Sequence, residues 1–303
     1  MKKKRTGRVR YFDTLVEEKN LIFDKNNPRP MAVSLTLRGN TLLSVHRGYH
    51  FEGIGEPLTP ETDYTFDGET LTILPSFLAL CPDEEYTVLS AEFDRGQSAV
   101  VPIFCTRKGM QPEYPLYRLD EPDFVFPRYD RFLEAGFETK PTYLRKRRPA
   151  LRLSYDFRRT PKYYPAVCKD RKRRRIDAPR PLGVAVWIYG DGSGNRLFMK
   201  INSRDKASVY SVNSFLLNWK GWRRILYRFD ETFPIPAIFD NILFLEYVEN
   251  AAKSGTIRIS DMDVICDPKA LDKFEHQGEA IDPDGPEVQD YYQIDFQGCT
   301  KGR

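Results

Sequence analysis

The fold is decided by the stretch Val184-Ala-Val-Trp-Ile-Tyr-Gly-Asp-Gly-Ser-Gly-Asn-Arg-Leu-Phe-Met-Lys-Ile201. Its six apolar residues predict a strand, the glycine-rich segment 190–195 turns the chain, and residues 196–201 return as a second strand. Because no helix follows the glycines, the dinucleotide-binding fingerprint, which needs a helix N-terminus facing a pyrophosphate, is excluded. The stretch therefore predicts a β-hairpin with a glycine-rich turn.

Further strands are predicted on both sides of this hairpin. Leu151, Leu153 and Tyr155 alternate with Arg152 and Ser154, which is the pattern of a half-buried strand. More strands are predicted at residues 222–229, 242–248 and 256–265. No long helical period interrupts them, so residues 131–267 are predicted to form a jelly-roll sandwich.

A second group of short strands is predicted at residues 23–105. Asp67-Gly68 separates two strand patterns at 63–66 and 70–73, and Asp-Gly supplies the positive φ angles that a tight hairpin turn needs. Pro75-Ser-Phe-Leu-Ala-Leu80 predicts one helical turn. The spacing of the strands predicts a small immunoglobulin-like sandwich.

A chain of 303 residues is long enough for two domains with separate cores. Three other segments are predicted around them: a basic N-terminal segment at 1–22, a proline-containing linker or strap at 106–130, and an acidic, disordered tail at 268–303. The sequence contains no apolar run of about 18 residues, so no transmembrane helix is predicted. The basic start is not followed by the apolar region of a signal peptide. The compartment stays open between three alternatives: a cytoplasmic chain, a part of a longer exported protein, or a chain whose start is misassigned.

The five cysteines are odd in number and widely spaced, which favours free thiols over a disulfide framework or a zinc ribbon. Charge is unevenly distributed, because residues 140–180 contain sixteen Lys or Arg against three Asp. Residues 267–303 contain nine acidic residues against four basic ones. The basic segment 145–175 suits an anionic partner, or the acidic tail of the same or another copy. Nucleic acid is not favoured, because no groove helix or aromatic sheet signature accompanies the charge.

Two parts of the chain resemble known families. The first is carried by Asn40-Thr-Leu-Leu-Ser-Val45, Thr62-Asp-Tyr-Thr-Phe-Asp-Gly-Glu-Thr-Leu-Thr-Ile73 and Phe77-Leu78. It resembles the immunoglobulin-like "carbohydrate-binding X-two" modules attached to bacterial glycoside hydrolases, over residues 28–104. Glu61 stands where that family usually has glycine.

The second resemblance is carried by Leu151-Arg-Leu-Ser-Tyr-Asp-Phe157, Pro181-Leu-Gly-Val-Ala-Val-Trp-Ile-Tyr189, Asn218-Trp-Lys-Gly-Trp222 and Ser254-Gly-Thr-Ile-Arg-Ile-Ser-Asp261. It is similar to galactose-binding-like jelly-roll domains appended to bacterial exopolysaccharide and cell-wall glycosidases, over about 135–265. Such modules imply extracellular or cell-surface glycan binding or spacing without catalysis.

The jelly-roll resemblance also implies a structural Ca²⁺. In such domains a Glu that follows Phe on the first strand and an Asp on the last strand help to hold the ion, which binds six to eight oxygens. The matching residues here are Glu138, Asp261 and Asp263. The alternative is that these are ordinary surface carboxylates facing the arginine-rich segment.

Aromatic rings and polar groups are candidates for contacting a sugar. Rings stack on the apolar faces of pyranoses, while Asp, Asn and Arg hydrogen-bond hydroxyl or acid groups. The candidate ligand-binding residues are Tyr163, Tyr164, Asp191, Asn195, Arg196, Trp219 and Trp222. The alternatives are that the tryptophans belong to the core, where Trp187 is assigned, and that segment 190–195 is only a turn.

Catalysis is not predicted. The three histidines lack metal-ligand spacing, and no nucleophile elbow, zinc-protease or phosphate-loop motif occurs. The sequence therefore predicts a non-catalytic carbohydrate-binding or spacer protein whose partner is a glycan, neutral or anionic. The alternative is a polyanion-binding or structural adaptor that acts through the arginine-rich segment 145–175.

Overall fold

The structure is a computed structural model that describes residues 13–18, 20–48, 55–118, 124–125, 134–138, 142–143, 146–147, 150–159, 163–165, 169–170, 174–203, 209–229, 233, 235, 237–239 and 243–275. The chain divides into two compact units. The first comprises 1–110 together with 177–180, and the second comprises 111–176 and 181–303. Both units are built mainly from antiparallel strands, so the predicted all-β class is confirmed.

The described part of the first unit forms two four-stranded sheets. Its elements are β1 (Leu15–Val16), β2 (Leu21–Asp24), β3 (Met31–Thr36), β4 (Leu42–Arg47), β5 (Tyr64–Phe66), β6 (Thr70–Ile73), α1 (Pro75–Ala79), β7 (Glu85–Phe93) and β8 (Ala99–Thr106). One sheet has the order β1-β3-β6-β5 and the other the order β2-β8-β7-β4. The pairing of β2 with β8 is parallel, and the others are antiparallel.

The Asp67-Gly68 turn joins β5 to β6, as the sequence predicts. The Asp67 carboxylate accepts hydrogen bonds from the backbone N–H groups of Thr70 at 2.7 Å and Glu69 at 3.0 Å. These donors lower the pKa of Asp67. Gly68 has a φ of 107°, which a side chain would disfavour. The predicted helical turn is also confirmed, because it forms α1.

An apolar core lies between the two sheets of the first unit. Val33 and Leu71 from one sheet and Leu89 and Val101 from the other are fully buried in the same cluster, to which Leu78 of α1 also belongs. Residues of opposite sheets therefore close a β-sandwich, in which alternate side chains of each strand point inward.

Three of the five cysteines lie in the described stretches, and all three are buried free thiols, as predicted. Cys81 and Cys105 share the first unit's core. The interaction between the two thiols is the largest cause that lowers the pKa of Cys81 to about 6 and raises that of Cys105. Burial raises the pKa of Cys266 to about 12.

The short segment 177–180 belongs to the first unit although it is distant in sequence. The Tyr86 hydroxyl donates a hydrogen bond of 2.9 Å to the Ala178 carbonyl, and the Tyr86 N–H donates one of 3.1 Å to the Asp177 carboxylate. Ala178 is fully buried. Each predicted segment is one continuous stretch of sequence, so the prediction does not include the assignment of residues 177–180 to the first unit.

The second unit contains the larger sheets. Its described elements are β9 (Glu113–Tyr117), β10 (Phe124–Val125), β11 (Glu134–Glu138), β12 (Thr142–Tyr143), β13 (Lys146–Arg147), β14 (Ala150–Asp156), β15 (Tyr163–Pro165), β16 (Lys169–Asp170), β17 (Arg174–Arg175), β18 (Gly183–Asp191), β19 (Arg196–Ser203), β20 (Val209–Leu216), β21 (Lys220–Arg228), β22 (Ala237–Phe239), β23 (Leu243–Glu246), β24 (Ser254–Ile265) and α2 (Pro268–Glu275). A short 3₁₀ helix, Phe157–Arg159, follows β14.

Two six-stranded sheets form the body of the second unit. The first has the order β11-β14-β24-β18-β21, with β9 also paired to β24. The second has the order β15-β23-β19-β22-β17, with β20 also paired to β19. The remaining short strands pair as β10 with β16 and β12 with β13. The predicted hairpin of residues 184–201 is divided between the sheets, because β18 lies in one and β19 in the other.

The core of the second unit lies between its two large sheets. Val184, Val186 and Ile188 of β18 are fully buried. Across the core, the Phe215 ring of β20 meets the Tyr227 ring of β21 edge to face, with centroids 5.2 Å apart. The two sheets are therefore packed as a β-sandwich, and the likeness to galactose-binding-like domains stays a prediction.

Two segments that the sequence assigns outside the sandwich are part of it. Within the predicted linker, β9 pairs with β24, because Tyr114, Leu116 and Tyr117 are buried apolar side chains. Within the predicted disordered tail, residues 268–275 form α2. Asp267 caps this helix by accepting a 2.9 Å hydrogen bond from the Lys269 N–H.

Helix α2 covers one end of the first large sheet. Ala270, together with Leu271 and Phe274, packs in a cluster with Ala185, Leu226 and Ile265. That apolar stripe explains why the helix forms at this point, since a helix this short depends on packing for its stability. Among the described residues, no helix has the length and apolarity to cross a membrane.

Truncation after Asp267 is expected to destabilise the second unit by about 2–3 kcal/mol, because it exposes the apolar cluster beneath α2. A chain that ends after Glu275 keeps the helix and serves as the control. Urea unfolding of both chains measures the difference. Equal stability of the two truncated chains would contradict a stabilising role of α2.

Candidate ligand-binding face of the second unit

The register of β18 separates two faces of the first large sheet. Val184, Val186 and Ile188 point into the sandwich core, so the alternate positions Trp187 and Tyr189 lie on the opposite face. We call this opposite face the outer face. Trp187 and Tyr189 are half-buried there. The assignment of Trp187 to the core is therefore wrong.

Five residues form a row across the outer face, one from each neighbouring strand. Gly136 of β11 pairs with Arg152 of β14, Arg152 with Arg258 of β24, Arg258 with Tyr189 of β18, and Tyr189 with Trp222 of β21. We call these five residues the cross-sheet row. Neighbouring strands lie about 4.8 Å apart, so the row extends over about 19 Å.

The aromatic half of the row is held by ring contacts. The Tyr189 and Trp222 rings meet edge to face at 5.6 Å, with an interplanar angle of 82°. The Arg258 guanidinium lies 5.1 Å from the centre of the Tyr189 ring, within cation–π distance. Trp187 packs beside these rings in a cluster with Ala150. The rings therefore have fixed orientations on the outer face.

A cluster of ion pairs lies between this aromatic group and α2. The Arg224 guanidinium contacts both carboxylate oxygens of Glu113 at 3.1 and 2.7 Å and one oxygen of Asp263 at 2.9 Å. Arg118 contacts the other oxygen of Asp263 at 2.6 Å. Burial acts to lower the pKa of Arg224, but the bonds to Glu113 and Asp263 outweigh it, so the pKa is raised. Both carboxylates of this cluster therefore form ion pairs with arginine.

This cluster disagrees with the calcium ligands that the resemblance implies. Both oxygens of Asp263 are taken by arginines, so Asp263 does not fit a Ca²⁺ ligand. Asp261 is buried on the same strand, and Glu138 ends β11 opposite Ala150, with its side chain outside the description. In the described stretches, no three Asp, Glu, His or Cys side chains group as a metal site.

A polar network fixes the glycine-rich loop between β18 and β19. The Tyr155 hydroxyl donates a 2.7 Å hydrogen bond to the Asp191 carboxylate and accepts one of 3.1 Å from the Asn195 amide. Asn195 also donates to the Ala252 carbonyl at 2.8 Å and accepts from the Val248 N–H at 3.3 Å. The amide is fully buried and bonded at both its oxygen and its nitrogen.

The loop residues proposed as ligand contacts therefore hold the loop itself. Asn195 is inaccessible, which corrects its prediction as a sugar contact, and Asp191 binds Tyr155 and the Ser193 N–H at 3.0 Å. Arg196 begins β19 and pairs with Glu246 of β23 at 3.2 Å. The alternative prediction, a structural turn, describes residues 190–195 better.

The two tryptophans predicted to stack on a sugar, Trp219 and Trp222, are both buried. Trp219 is only 1% exposed, donates to the Gly221 carbonyl at 3.1 Å and lies 5.4 Å from the Arg223 guanidinium. Trp222 is 2% exposed, although it belongs to the cross-sheet row. Neither ring offers a free face, which corrects both predictions in favour of burial.

Tyr163 and Tyr164 remain predictions as ligand contacts. They lie in β15, paired with Glu246 and Leu245 of β23, so their backbone belongs to the other large sheet. Their side chains lie outside the description. The structure therefore does not bring them together with the cross-sheet row.

The residues that sequence reasoning missed are Arg152, Arg258, Trp187 and Tyr189. A signal for them exists in the alternation itself. In Val186-Trp-Ile-Tyr189 and Ile257-Arg-Ile259, β-branched residues alternate with aromatic or charged ones, which indicates two faces of different chemistry. Reading the first run as uniformly apolar conceals its outer face.

Comparison with known families supports the interpretation of the first unit. Residues 16–103 match the family described as carbohydrate binding domain X2. This match confirms the resemblance predicted for that part of the chain. Because the family covers less than a third of the chain, it identifies the first unit's module and not the whole protein. No curated protein matches the chain.

Solved structures give weaker likenesses. A tri-modular GH5 subfamily 4 endo-β-1,4-glucanase from Bacillus licheniformis, complexed with cellotetraose, is 28% identical over 31% of this chain and 18% of its own, with a TM-score of 0.27. Endo-β-1,4-glucanase B from Bacillus halodurans is 13% identical over 82% of this chain and 37% of its own, with a TM-score of 0.29. A family 29 carbohydrate-binding module is 12% identical over 48% of this chain and 89% of its own, with a TM-score of 0.28.

These TM-scores are too low to establish a shared overall fold. The chain spans 18% and 37% of the two endoglucanases, so their catalytic activity is not carried over to it.

Two tyrosine-to-phenylalanine substitutions are expected to differ in their effect on stability. Tyr155→Phe leaves buried partners of its hydroxyl unsatisfied and should lower the free energy of unfolding by about 1–3 kcal/mol. The Tyr227 hydroxyl is buried and has no hydrogen-bond partner among the described residues. Tyr227→Phe should therefore leave stability within about 0.5 kcal/mol of the parent chain, or raise it. Urea unfolding checks both, and a loss with Tyr227→Phe as large as with Tyr155→Phe would refute this contrast.

Proposed function

We propose that the chain is a non-catalytic glycan-binding protein in which the outer face of the second unit binds the sugar. The observation that carries this proposal is the outer face, on which the half-buried rings of Trp187 and Tyr189 lie in one cluster and Arg258 and Arg152 continue the cross-sheet row from Tyr189. Rings provide faces for the apolar side of a pyranose, and guanidinium groups donate to its oxygens. The match of residues 16–103 to a carbohydrate-binding family supports a glycan as the ligand class.

The aromatic side chains are suited to this role because they are already ordered. Tyr189 is held between Trp222 and Arg258, and Trp187 packs in the same cluster. A ring that is fixed before binding loses little conformational entropy when the ligand arrives. The half-buried Trp187 and Tyr189 are the rings through which contact would occur.

The carboxylates of the outer face favour binding over hydrolysis. A glycosidase needs two carboxyl groups about 5–10 Å apart, of which one donates a proton and the other acts as base or nucleophile. Glu113 and Asp263 instead bind the same guanidinium, that of Arg224, so their oxygens are engaged with its N–H groups and do not face each other across a cleft as an acid and base pair. In this proposal the first unit is a second carbohydrate-binding-type module or a spacer.

Trp187→Ala and Tyr189→Ala are each expected to weaken glycan binding by about 10-fold, because each removes a ring face. Affinity electrophoresis of the full chain in gels that contain soluble neutral or acidic polysaccharides measures the effect. Tyr247→Ala, which removes a half-buried tyrosine that follows β23 of the other sheet, is the matched control.

Retardation that is unchanged in Trp187→Ala and Tyr189→Ala but reduced in Tyr247→Ala would place the site elsewhere. If no polysaccharide in a broad panel retards the parent chain, the proposed function is wrong. Urea unfolding of the three variants separates a lost contact from a lost fold.

The alternative, a polyanion-binding adaptor, rests on the sixteen Lys or Arg among residues 140–180. Binding through such a segment should weaken steeply with salt, because neutralised phosphates release counterions. Titration of the full chain with a single-stranded nucleic acid at several salt concentrations tests it. A steep slope of log affinity against log salt is expected for the adaptor, and a flat slope or no binding argues against it.

A further inference from the structure

We infer that Cys81 and Cys105 form a disulfide bond when the chain folds under oxidising conditions, and that this bond cross-links the segment after α1 to β8. The inference concerns the first unit and goes beyond the proposed function, which is assigned to the second unit. Both cysteines are free thiols in the structure. An odd and widely spaced set of cysteines argues against a framework of several disulfides, but not against one bond between cysteines that are neighbours in the fold.

The two thiols lie together inside one apolar core. Cys81 is 3% exposed and Cys105 is fully buried, and both belong to the cluster between the two sheets. Their interaction with each other is the largest cause of the lowered pKa of Cys81 and of the raised pKa of Cys105. The Cys105 thiol also donates to the Thr87 hydroxyl at 4.0 Å. The two sulfur atoms are therefore neighbours, which is the first condition for a disulfide bond.

The backbones of the two cysteines are also tied to each other. The Glu84 N–H donates a 2.7 Å hydrogen bond to the Cys105 carbonyl, so only two residues separate Cys81 from a residue that is bonded to Cys105. The Lys25 ammonium donates to the Cys81 carbonyl, and the Lys25 N–H donates to the Thr106 carbonyl at 2.8 Å. Thr106 follows Cys105 in β8. Oxidation would thus join two positions that the native fold already holds close together.

Oxidised glutathione is a suitable oxidant, because thiol–disulfide exchange balances the reaction. While the chain is still open, the thiolate of one cysteine attacks a sulfur of the oxidant, the glutathione disulfide breaks, and one glutathione thiolate leaves. The other cysteine gives its proton to solvent and its sulfur attacks the mixed disulfide, which releases the second glutathione. Two protein thiols lose two electrons, and one glutathione disulfide is reduced to two thiols. Native packing selects this pairing, since it brings these two side chains into one cluster.

Burial protects the bond once it has formed. A reducing thiolate must reach one of the two sulfur atoms, and both lie in the core. Reduction therefore requires that the first unit open. The bond closes the loop of residues 81–105, which contains β7, so it stabilises the folded unit by restricting its unfolded chain. The stability of the first unit would then follow the redox state of its surroundings.

Cys266 provides the internal contrast. It is also a buried free thiol, but it belongs to the second unit. Burial is the cause that raises its pKa to about 12, whereas a second thiol is the largest cause of the shifts of Cys81 and Cys105. Cys266 is therefore the matched control for a buried cysteine outside the pair.

Refolding of the full chain from urea in a mixture of reduced and oxidised glutathione tests the pairing. Free thiols are then alkylated in urea, and the chain is cut by a protease without reduction. Mass spectrometry is expected to find the fragments that contain Cys81 and Cys105 joined to each other, with the loss of two hydrogen atoms. Cys266 is expected to be alkylated.

Hydrogen exchange measured by mass spectrometry compares the oxidised and reduced chains unit by unit. The slowest amides of the first unit exchange through unfolding of that unit, so they are expected to exchange about 100-fold more slowly in the oxidised chain. The amides of the second unit should be unchanged. Cys81→Ala and Cys105→Ala should each abolish the difference between the oxidised and reduced chains, and Cys266→Ala should preserve it.

The outcomes separate the pairing from its effect. If Cys81 and Cys105 are both alkylated after refolding, or if either is joined to glutathione or to another cysteine, the pairing is wrong. A joined pair without a change in hydrogen exchange overturns the stabilising role. A slowing that persists in Cys81→Ala has another cause and also counts against the pair. The comparison of the oxidised with the reduced parent chain requires no variant to fold, and none of these measurements depends on glycan binding.

Discussion

The pairing of β24 is the constraint on which the second unit depends. This twelve-residue strand pairs with β14 and β9 on one side and with β18 on the other, so it joins the sheet along its whole length. Its inward residues, such as Ile257 and Val264, are buried in the sandwich. Its outward residues include Arg258 and Asp263. One strand therefore supplies both the core and two contrasting parts of the outer face.

The outer face gains its chemistry from how those parts are divided along the strands. Near α2, carboxylates neutralise the guanidinium groups, which gives a bonded surface that stabilises the sheet. Further along, two arginines are followed by two rings across the strands, with Tyr189 between Arg258 and Trp222. The polar network of Asp191 and Asn195 closes that end of β18. The surface proposed to bind the ligand thus lies between the ion-pair cluster and this polar network. Its side chains are held in place by neighbouring side chains before any ligand binds.

The sequence predicts the strands well for two reasons. Burial alternates with period two along them, and the Asp-Gly and glycine-rich turns between them require positive φ angles that glycine adopts. It predicts the site poorly, since alternation shows which residues share a face and not what covers that face. Trp187 and Trp219 illustrate this, because the first is half-buried on the outer face and the second is enclosed. Helix α2 was missed although Asp267-Pro268 is a helix-start signal, because its stability comes from packing on Ala185 and Leu226.

All three tryptophans, Trp187, Trp219 and Trp222, belong to the second unit, and the first unit has none. Tryptophan fluorescence therefore comes from the second unit alone. The first unit contributes only tyrosine fluorescence. Two of the indoles lie on the outer face and the third is enclosed beside Arg223. Intrinsic tryptophan fluorescence thus distinguishes changes in the second unit, including its outer face, from unfolding of the first unit.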